Sequence, residues 1–260
     1  MTDLVASKTS ELARIARKIE RFIVKYVSAS SANGLVIGLS GGLDSSVVLK
    51  LAVSAVGPDR VYGLIMPSEV TPDEDSADAI DYAKELGVRY KVINLESVIE
   101  TYLQYLPENE KARGNLSARI RMNILYYNAA LNGYLVAGTS DKSEKILGFY
   151  TKYGDGAADI LPIADLYKTQ VRDLGSYLAI PRAIIEKKSS PRLWKNHLAE
   201  EELGLSYEKL DPILQLLIEK NRTPKVVARK LGISIAEVER VKDMVDKTAH
   251  KRKPIPFAKI

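Results

Sequence analysis

The sequence predicts an α/β protein: a parallel β-sheet flanked by helices. Three observations carry this. Short apolar, β-branched runs alternate with helical runs through the first half of the chain. The links between them are short, which implies parallel strands joined by right-handed helical crossovers. The run Leu35-Val36-Ile37-Gly38 passes through a turn of small residues directly into an apolar helical run at residues 47–56, the first half of a βαβ unit.

Taken in order, residues 11–26 form an amphipathic helix. Leu12, Ile15, Ile19, Phe22, Ile23 and Tyr26 recur at three- and four-residue steps. Ser31 to Gly34 turn the chain into the first strand. A second strand spans residues 61–66 and ends at Pro67. Thr71, Pro72 and Glu74 predict a helix start with Thr71 as N-cap, Pro72 at the first position and Glu74 closing a capping box. That helix stops at Gly87, and a third strand follows at 90–95. Residues 97–106 read as a helix, 107–114 as a polar loop and 115–131 as a helix. A fourth strand, 134–137, ends at Gly138-Thr139-Ser140-Asp141. Residues 149–159 read as a loop, 160–163 as a short extended piece and 166–178 as a helix. Segment 189–197 is irregular. Helices are predicted at 207–220, 224–231 and 235–249, before a basic tail that Pro254 keeps from regular helix beyond Lys253. Without an internal repeat or a long linker, residues 1–260 read as a single domain.

The first strand-to-helix turn, Ser40-Gly41-Gly42-Leu43-Asp44-Ser45, carries the chemistry. Free N–H groups and the helix dipole at a helix start favour an anion. Gly41 and Gly42 permit close backbone approach and positive φ. Ser40 and Ser45 add hydroxyl donors. Asp44 would repel a phosphate unless a divalent cation lies between them, and Mg²⁺ is commonly held by one or two carboxylates plus phosphates. The turn is not a Walker A loop, because no lysine follows Gly42, and no Gly-x-Gly-x-x-Gly stands here. Ligands of open parallel sheets bind beyond the strands' carboxyl ends, so Thr139 should face the same crevice as this turn.

The bulk numbers exclude several classes. Apolar content of 46% and charged content of 27% are ordinary for a globular protein. No apolar run approaches the roughly 18 residues of a membrane span and no signal peptide is evident, so a cytoplasmic protein is expected. A net charge of +5 suits anionic small molecules and is weak support for nucleic acid. The chain has no cysteine, which excludes disulfides, zinc–cysteine sites and a thiol-dependent glutaminase. Two histidines are too few for a histidine-rich metal site.

The motif Ser-Gly-Gly-x-Asp-Ser resembles the pyrophosphate loop of the ATP pyrophosphatases, which adenylate a substrate. Later motifs narrow the resemblance. Phe149-Tyr150-Thr151-Lys152-Tyr153-Gly154-Asp155-Gly156, then Asp159, Pro162 and Lys168, and the terminal His250-Lys251-Arg252, are similar to the ammonia-dependent NAD synthetases. Residues 67–71 and the helix around Asn115 to Arg121 also match, so the similarity covers nearly the whole chain. The resemblance implies a Rossmann-like sheet of the adenine nucleotide alpha hydrolase kind. It implies that deamido-NAD, ATP and ammonia become NAD, AMP and pyrophosphate, with Mg²⁺ as cofactor. ATP phosphates fall on Gly38, Leu39, Ser40, Gly41, Gly42, Leu43, Asp44 and Ser45. Thr139, Lys168 and Ser190 match further ATP contacts, with Ser190 aligned by anchoring on Leu193. Mg²⁺ falls on Asp44 and Glu144, and deamido-NAD on Arg119, Lys152, Asp159, His250 and Lys251. Asp44 and Asp155 are the catalytic candidates, Asp155 as the group that deprotonates ammonium. The resemblance also implies a homodimer with the dinucleotide near the subunit boundary. The face of residues 125–131, or the first helix, would form that boundary. Glutamine would serve only through a separate ammonia-supplying protein, with no membrane or nucleic acid as partner.

Taken singly, several of these residues have plainer readings. Arg119, Lys152, Lys168 and Glu144 read alone as solvated charges, Asp159 as a turn cap and His250 as part of a frayed tail. The joint pattern moves them toward function. Where the family shows Gly-Gln-x-Asp-Glu, this chain has His197 and Ala199 at the glutamine and aspartate positions. Two rivals stand. Lys225 to Ser234 followed by Glu237-Val238 resembles a helix-turn-helix, although Ile235, Ala236 and Glu237 are poor base readers. Another pyrophosphate-loop ligase, such as a GMP synthetase subunit or a tRNA-modifying enzyme, is the nearer alternative.

Overall fold

In the computed structural model, which describes residues 2–259, four parallel strands form one sheet. They are β1 (Gly34–Gly38), β2 (Val61–Ile65), β3 (Arg89–Val92) and β4 (Tyr134–Ala137), in the order β3-β2-β1-β4. Leu35 pairs with Val61 on one side and Leu135 on the other. Side chains along β1 alternate between faces, as a strand requires. Leu35 and Ile37 join the core beneath α1 (Thr2–Ala29), α2 (Leu43–Val56) and α3 (Asp73–Glu85). Val36 points into a second core beneath α4 (Glu96–Leu103) and α5 (Glu110–Asn132). All three side chains are fully buried, each contributing on the order of 2 kcal/mol.

The chain steps outward from β1 to β2 and β3, then crosses back to lay β4 on the other side of β1. That reversal opens a crevice at the carboxyl ends of β1 and β4. A third core closes one end of it. It joins α6 (Lys142–Leu147), α9 (Ala199–Leu203), α10 (Tyr207–Leu214), α11 (Pro224–Leu231) and α12 (Ile235–Lys247). Between these lie α7 (Lys168–Tyr177) and α8 (Arg182–Glu186), and α13 (Ala249–Arg252) ends the helical order. The helix-turn-helix-like pair α11 and α12 buries Val227, Val238 and Val241 in this third core. Among the described residues no helix is long and apolar enough to cross a membrane.

Several expected boundaries shift, each for a local reason. The Thr71 capping box does not form. Thr71 Oγ1 accepts from the Ser68 amide at 3.1 Å, so the helix begins at Asp73 with Pro72 outside it. The polar stretch from Glu110 is helix rather than loop, because Asn109 Oδ1 caps it through the Ala112 amide at 2.9 Å. The first helix is longer than its apolar stripe, and α2 begins at Leu43, before the apolar run. β3 ends at Val92. The helix from Tyr207 widens into a π-turn over Gln215–Glu219.

Candidate active site

The phosphate-loop candidate folds as a braced turn. Ser40 Oγ and Ser45 Oγ lie 3.1 Å apart, and Ser45 Oγ donates to Gly42 O at 3.0 Å. The Gly42 amide donates to Ser40 Oγ at 3.3 Å. Both serine hydroxyls therefore hold the turn's shape. Gly41 adopts φ +71°, and a Cβ there would lie 1.9 Å from the Asp75 carbonyl oxygen. Only glycine fits this backbone.

Behind the loop, three carboxylates surround one ammonium. Lys168 Nζ lies 2.6 Å from Asp44 Oδ2, 2.9 Å from Asp141 Oδ2 and 2.9 Å from Glu144 Oε1. Local sequence explains the cluster. Asp44 stands in the first turn of α2, where the dipole favours an acid. Asp141 and Glu144 form the capping box of α6: Asp141 Oδ1 accepts from the Glu144 amide at 2.8 Å, and Glu144 Oε2 accepts from the Asp141 amide at 3.3 Å. One helix start thus sets two carboxylates side by side at the end of β4. Burial, then repulsion from Asp141, raises Glu144 to about 8, against the pull of Lys168. Burial likewise raises Asp141 to about 6. Lys168 is itself buried, but its three carboxylate neighbours hold its pKa well above the ordinary value.

Lys168 is fixed from its backbone side too. Its amide donates to Ser143 Oγ at 3.0 Å, and Ser143 Oγ donates to Asp211 Oδ1 at 2.6 Å. Asp211 Oδ2 accepts from the Thr169 amide at 3.0 Å and the Thr169 hydroxyl at 2.8 Å. A buried aspartate of α10 thus caps the start of α7.

The cluster has the chemistry of a hard-cation site. One carboxylate oxygen from each of Asp44, Asp141 and Glu144 lies within 4.8 Å of the others. Asp44 Oδ1 is buried, and among the described residues none donates a hydrogen bond to it. Fully ionised, three carboxylates against one ammonium would carry excess negative charge, which a bound cation would relieve. An all-oxygen set of this kind fits Mg²⁺.

One cavity of about 600 Å³ spans the crevice. Most of the loop, with Thr139, Glu144, Asp155, Lys168, Ser190 and Lys251, lines it. Asp155 accepts from the Thr151 amide at 2.9 Å, and burial raises its pKa although the carboxylate opens on the cavity. Lys251 is not frayed. Its Nζ donates to the carbonyls of Gly148 and Tyr150 at 2.6 Å each, tying the tail to the loop after α6. Ser190 Oγ donates to His197 O within the irregular segment after α8.

Besides Gly41 of the loop, four expected site residues lie outside the cavity lining. Arg119 is exposed, and its Nη2 donates to Lys152 O at 3.4 Å. Asp159 Oδ2 accepts from the Val136 amide at 2.7 Å and Asp159 Oδ1 from Tyr126 at 3.3 Å. Arg119 stands on α5, and Lys152 and Asp159 lie beside that helix. His250 is exposed on α13.

The sequence reading missed Asp141, Asp211, Arg121, Asp75 and Lys187. Asp141 was detectable as the first residue of an Asp-x-x-Glu capping box. Arg121 donates to Met66 O at 3.0 Å and to Ser68 Oγ at 3.3 Å, holding the exit of β2 beside the cavity. His197, at the position where the family motif has glutamine, is buried. It stacks on Trp194 at 3.4 Å between centroids and pairs through Nε2 with Glu202 at 2.6 Å. The segment's contacts therefore differ from those a glutamine would make.

Known proteins share this fold and much of this sequence. The NAD synthase family pattern matches residues 15–255. The NH(3)-dependent NAD(+) synthetase of Hyperthermus butylicus is 50% identical over 92% of this chain and 87% of its own length. That of Archaeoglobus fulgidus is 45% identical over 95% and 97%. Among solved structures, an NMN synthetase from Francisella tularensis superposes with a TM-score of 0.85 at 32% identity, covering 96% of this chain and 99% of its own. An NH3-dependent NAD synthetase from Campylobacter jejuni gives 0.83 at 31%, covering 95% and 99%. With a pyrophosphate-type loop, an acidic cluster behind it and a family match from Ile15 to Ile255, the chain belongs to the NAD synthase family.

Proposed function

We propose that this protein makes NAD from deamido-NAD, ATP and ammonia, releasing AMP and pyrophosphate. The single observation that carries the reading is the braced Ser40–Ser45 loop opening on the same cavity as Asp44 and Glu144 of the acidic cluster. Relatives named as NH(3)-dependent NAD(+) synthetases over nearly the full chain support it.

A nicotinate carboxylate is a poor acyl donor because its oxygen leaves badly. Its attack on the α-phosphate forms a carboxylate–phosphorus bond and breaks the bond to the β-phosphate, whose oxygen keeps the electron pair. Ammonia then attacks the acyl carbon, AMP departs and one proton is lost. No protein nucleophile is needed, so positioning and charge stabilisation are the chain's tasks. In this reading residues 38–45 take the phosphates, with Thr139 and Ser190 as further ATP contacts. Lys168 orders Asp44 and Glu144 from within the cluster. Asp155, hindered in ionising by burial, takes the ammonium proton. Asp44 and Glu144, with Asp141, would hold Mg²⁺, which offsets triphosphate charge when bound.

Arg119, Lys152, Asp159 and His250 bind deamido-NAD in this reading, with Lys251 at the cavity edge. The first three lie on or beside α5, where Tyr127 and Leu131 are 71% and 72% exposed. A second copy of the chain covering that face would turn their open surface into an enclosed site, and we infer a homodimer there. The chain is read as a single-domain, cytoplasmic enzyme fed by free ammonia or by a separate ammonia-supplying protein.

The purified protein, given ATP, Mg²⁺ and ammonium, should form NAD from deamido-NAD with one AMP and one pyrophosphate each. Glutamine alone should not replace ammonium. The likeness to an NMN synthetase sets the rival substrate, nicotinic acid mononucleotide. Preferred turnover of that mononucleotide, or of xanthosine monophosphate, would overturn the assignment.

A further inference from the structure

The Ser40–Ser45 loop has no basic residue of its own: residues 38–46 contain none. Beside the Mg²⁺ that Asp44 and Glu144 would hold, a pyrophosphate departing into this loop gains from a cation of the protein itself, beyond the loop's amides and one helix end. Lys168 does not supply it freely, since three carboxylates surround its ammonium.

We propose that Lys187 is the loop's pyrophosphate-binding cation, delivered from 146 positions away by the segment after α8 and held ready by Asp75 and Asp78. The inference rests on the reading of this site as an ATP pyrophosphatase centre and adds a residue to it. Lys187 lines the cavity, and its Nζ donates to Gly41 O at 3.2 Å. The same ammonium donates to Asp75 Oδ1 at 2.7 Å and Asp78 Oδ2 at 2.6 Å.

Asp75 is nearly buried and acts as a hub. Its other oxygen accepts from Arg192 Nε at 2.9 Å, and its backbone carbonyl packs against Gly41. Two cations and two carboxylates thus balance around the loop's outer wall. Burial disfavours the Lys187 charge, but the bonds from Asp75 and Asp78 outweigh it and keep the ammonium protonated. Its weakest acceptor is the neutral Gly41 carbonyl, the longest of the three contacts. Exchanging that acceptor for a phosphate oxygen replaces a neutral hydrogen bond with a charge-assisted one, roughly twice as strong. Asp75 stays bonded throughout, so the lysine need not travel.

The test is calorimetric titration of inorganic pyrophosphate, with Mg²⁺, into the full-length protein free of nucleotide. Lys187→Gln should weaken binding by about 10- to 100-fold, the range for a hydrogen bond to a charged group. Lys187→Arg should restore most of it, with thermal melts confirming that each variant is folded. Asp78→Asn forms an independent arm. It leaves the loop intact and removes one competitor for the ammonium, so binding should tighten, and the tightening should vanish when combined with Lys187→Gln. Wild-type affinity in Lys187→Gln, no pyrophosphate binding by the wild type, or an Asp78→Asn effect that persists without Lys187 would each overturn the proposal. The titration needs no NAD formation. Lys187-dependent pyrophosphate binding in a protein that makes no NAD would refute the substrate assignment and leave this inference standing.

Discussion

Lys168 Nζ and Asp44 Oδ2 lie 2.6 Å apart although 124 positions separate them in the chain. The pair joins the start of α7 to the start of α2, immediately behind the loop. It orders the carboxylate that the proposed mechanism uses to hold Mg²⁺, and it makes the local charge balance depend on distant segments.

Replacing Asp44 by asparagine keeps the side chain's shape and removes its charge. Turnover is expected to fall by about 100-fold or more, the scale for losing one transition-state stabilising group. The Mg²⁺ concentration giving half-maximal rate should rise with it. Steady-state rates across a Mg²⁺ series check this, and near-normal turnover would remove the metal role from Asp44.

The acidic cluster sets a pH dependence of stability in protein free of divalent cations. Glu144 moves from an ordinary 4.5 to about 8, and Asp141 from 3.8 to about 6. An acid with a raised folded pKa holds its proton more tightly when folded, so its stabilising contribution is full at low pH. That contribution is lost as pH rises through the folded value. Melting temperature should therefore fall between roughly pH 5 and 8. Glu144→Gln should flatten the fall, and added Mg²⁺ should reverse it. A wild-type profile identical to that of Glu144→Gln contradicts the cluster's electrostatics.

Asp211 positions Lys168 through Ser143 and Thr169. Asp211→Ala strands buried donors and should cost about 2–3 kcal/mol in denaturant unfolding. It should also weaken Mn²⁺ binding, read by electron paramagnetic resonance as a spectroscopic substitute for Mg²⁺. Asp211→Asn keeps an acceptor for the Thr169 amide and should recover most of both. A stability loss with unchanged Mn²⁺ affinity would reduce Asp211 to a purely structural cap.

Leu131 is 72% exposed, so Leu131→Glu should leave the monomer folded. It should shift sedimentation to the monomer and raise KM for deamido-NAD at least about tenfold, as loss of an interface anchor does. KM for ATP should change little. A variant that sediments like the wild type moves the boundary to another face.

What could be read from the sequence follows physical range. β1 and β4 were legible because buried parallel strands are short, apolar and β-branched. The loop was legible because glycine and serine at a strand end carry a local rule. Asn109 as the start of α5 carries little signal, because Glu110, Lys111 and Arg113 are charged and the cap resembles any loop asparagine. Asp141 hid as a helix cap while also forming one side of the acidic cluster. Lys187 and Asp75 carry no local signal, since their pairing spans 112 positions and exists only once the segment after α8 reaches α3. The three residues on or beside α5 matched a family pattern, but their distance from the cavity emerged only from the fold.

The most direct test of adenylation follows the oxygen atoms. Deamido-NAD labelled with ¹⁸O in its nicotinate carboxylate is turned over with ATP and ammonium, and the AMP is analysed by mass spectrometry. Attack of that carboxylate on the α-phosphate transfers one labelled oxygen to AMP, and the account predicts that singly labelled AMP accompanies each NAD formed. NAD formation with unlabelled AMP would contradict it.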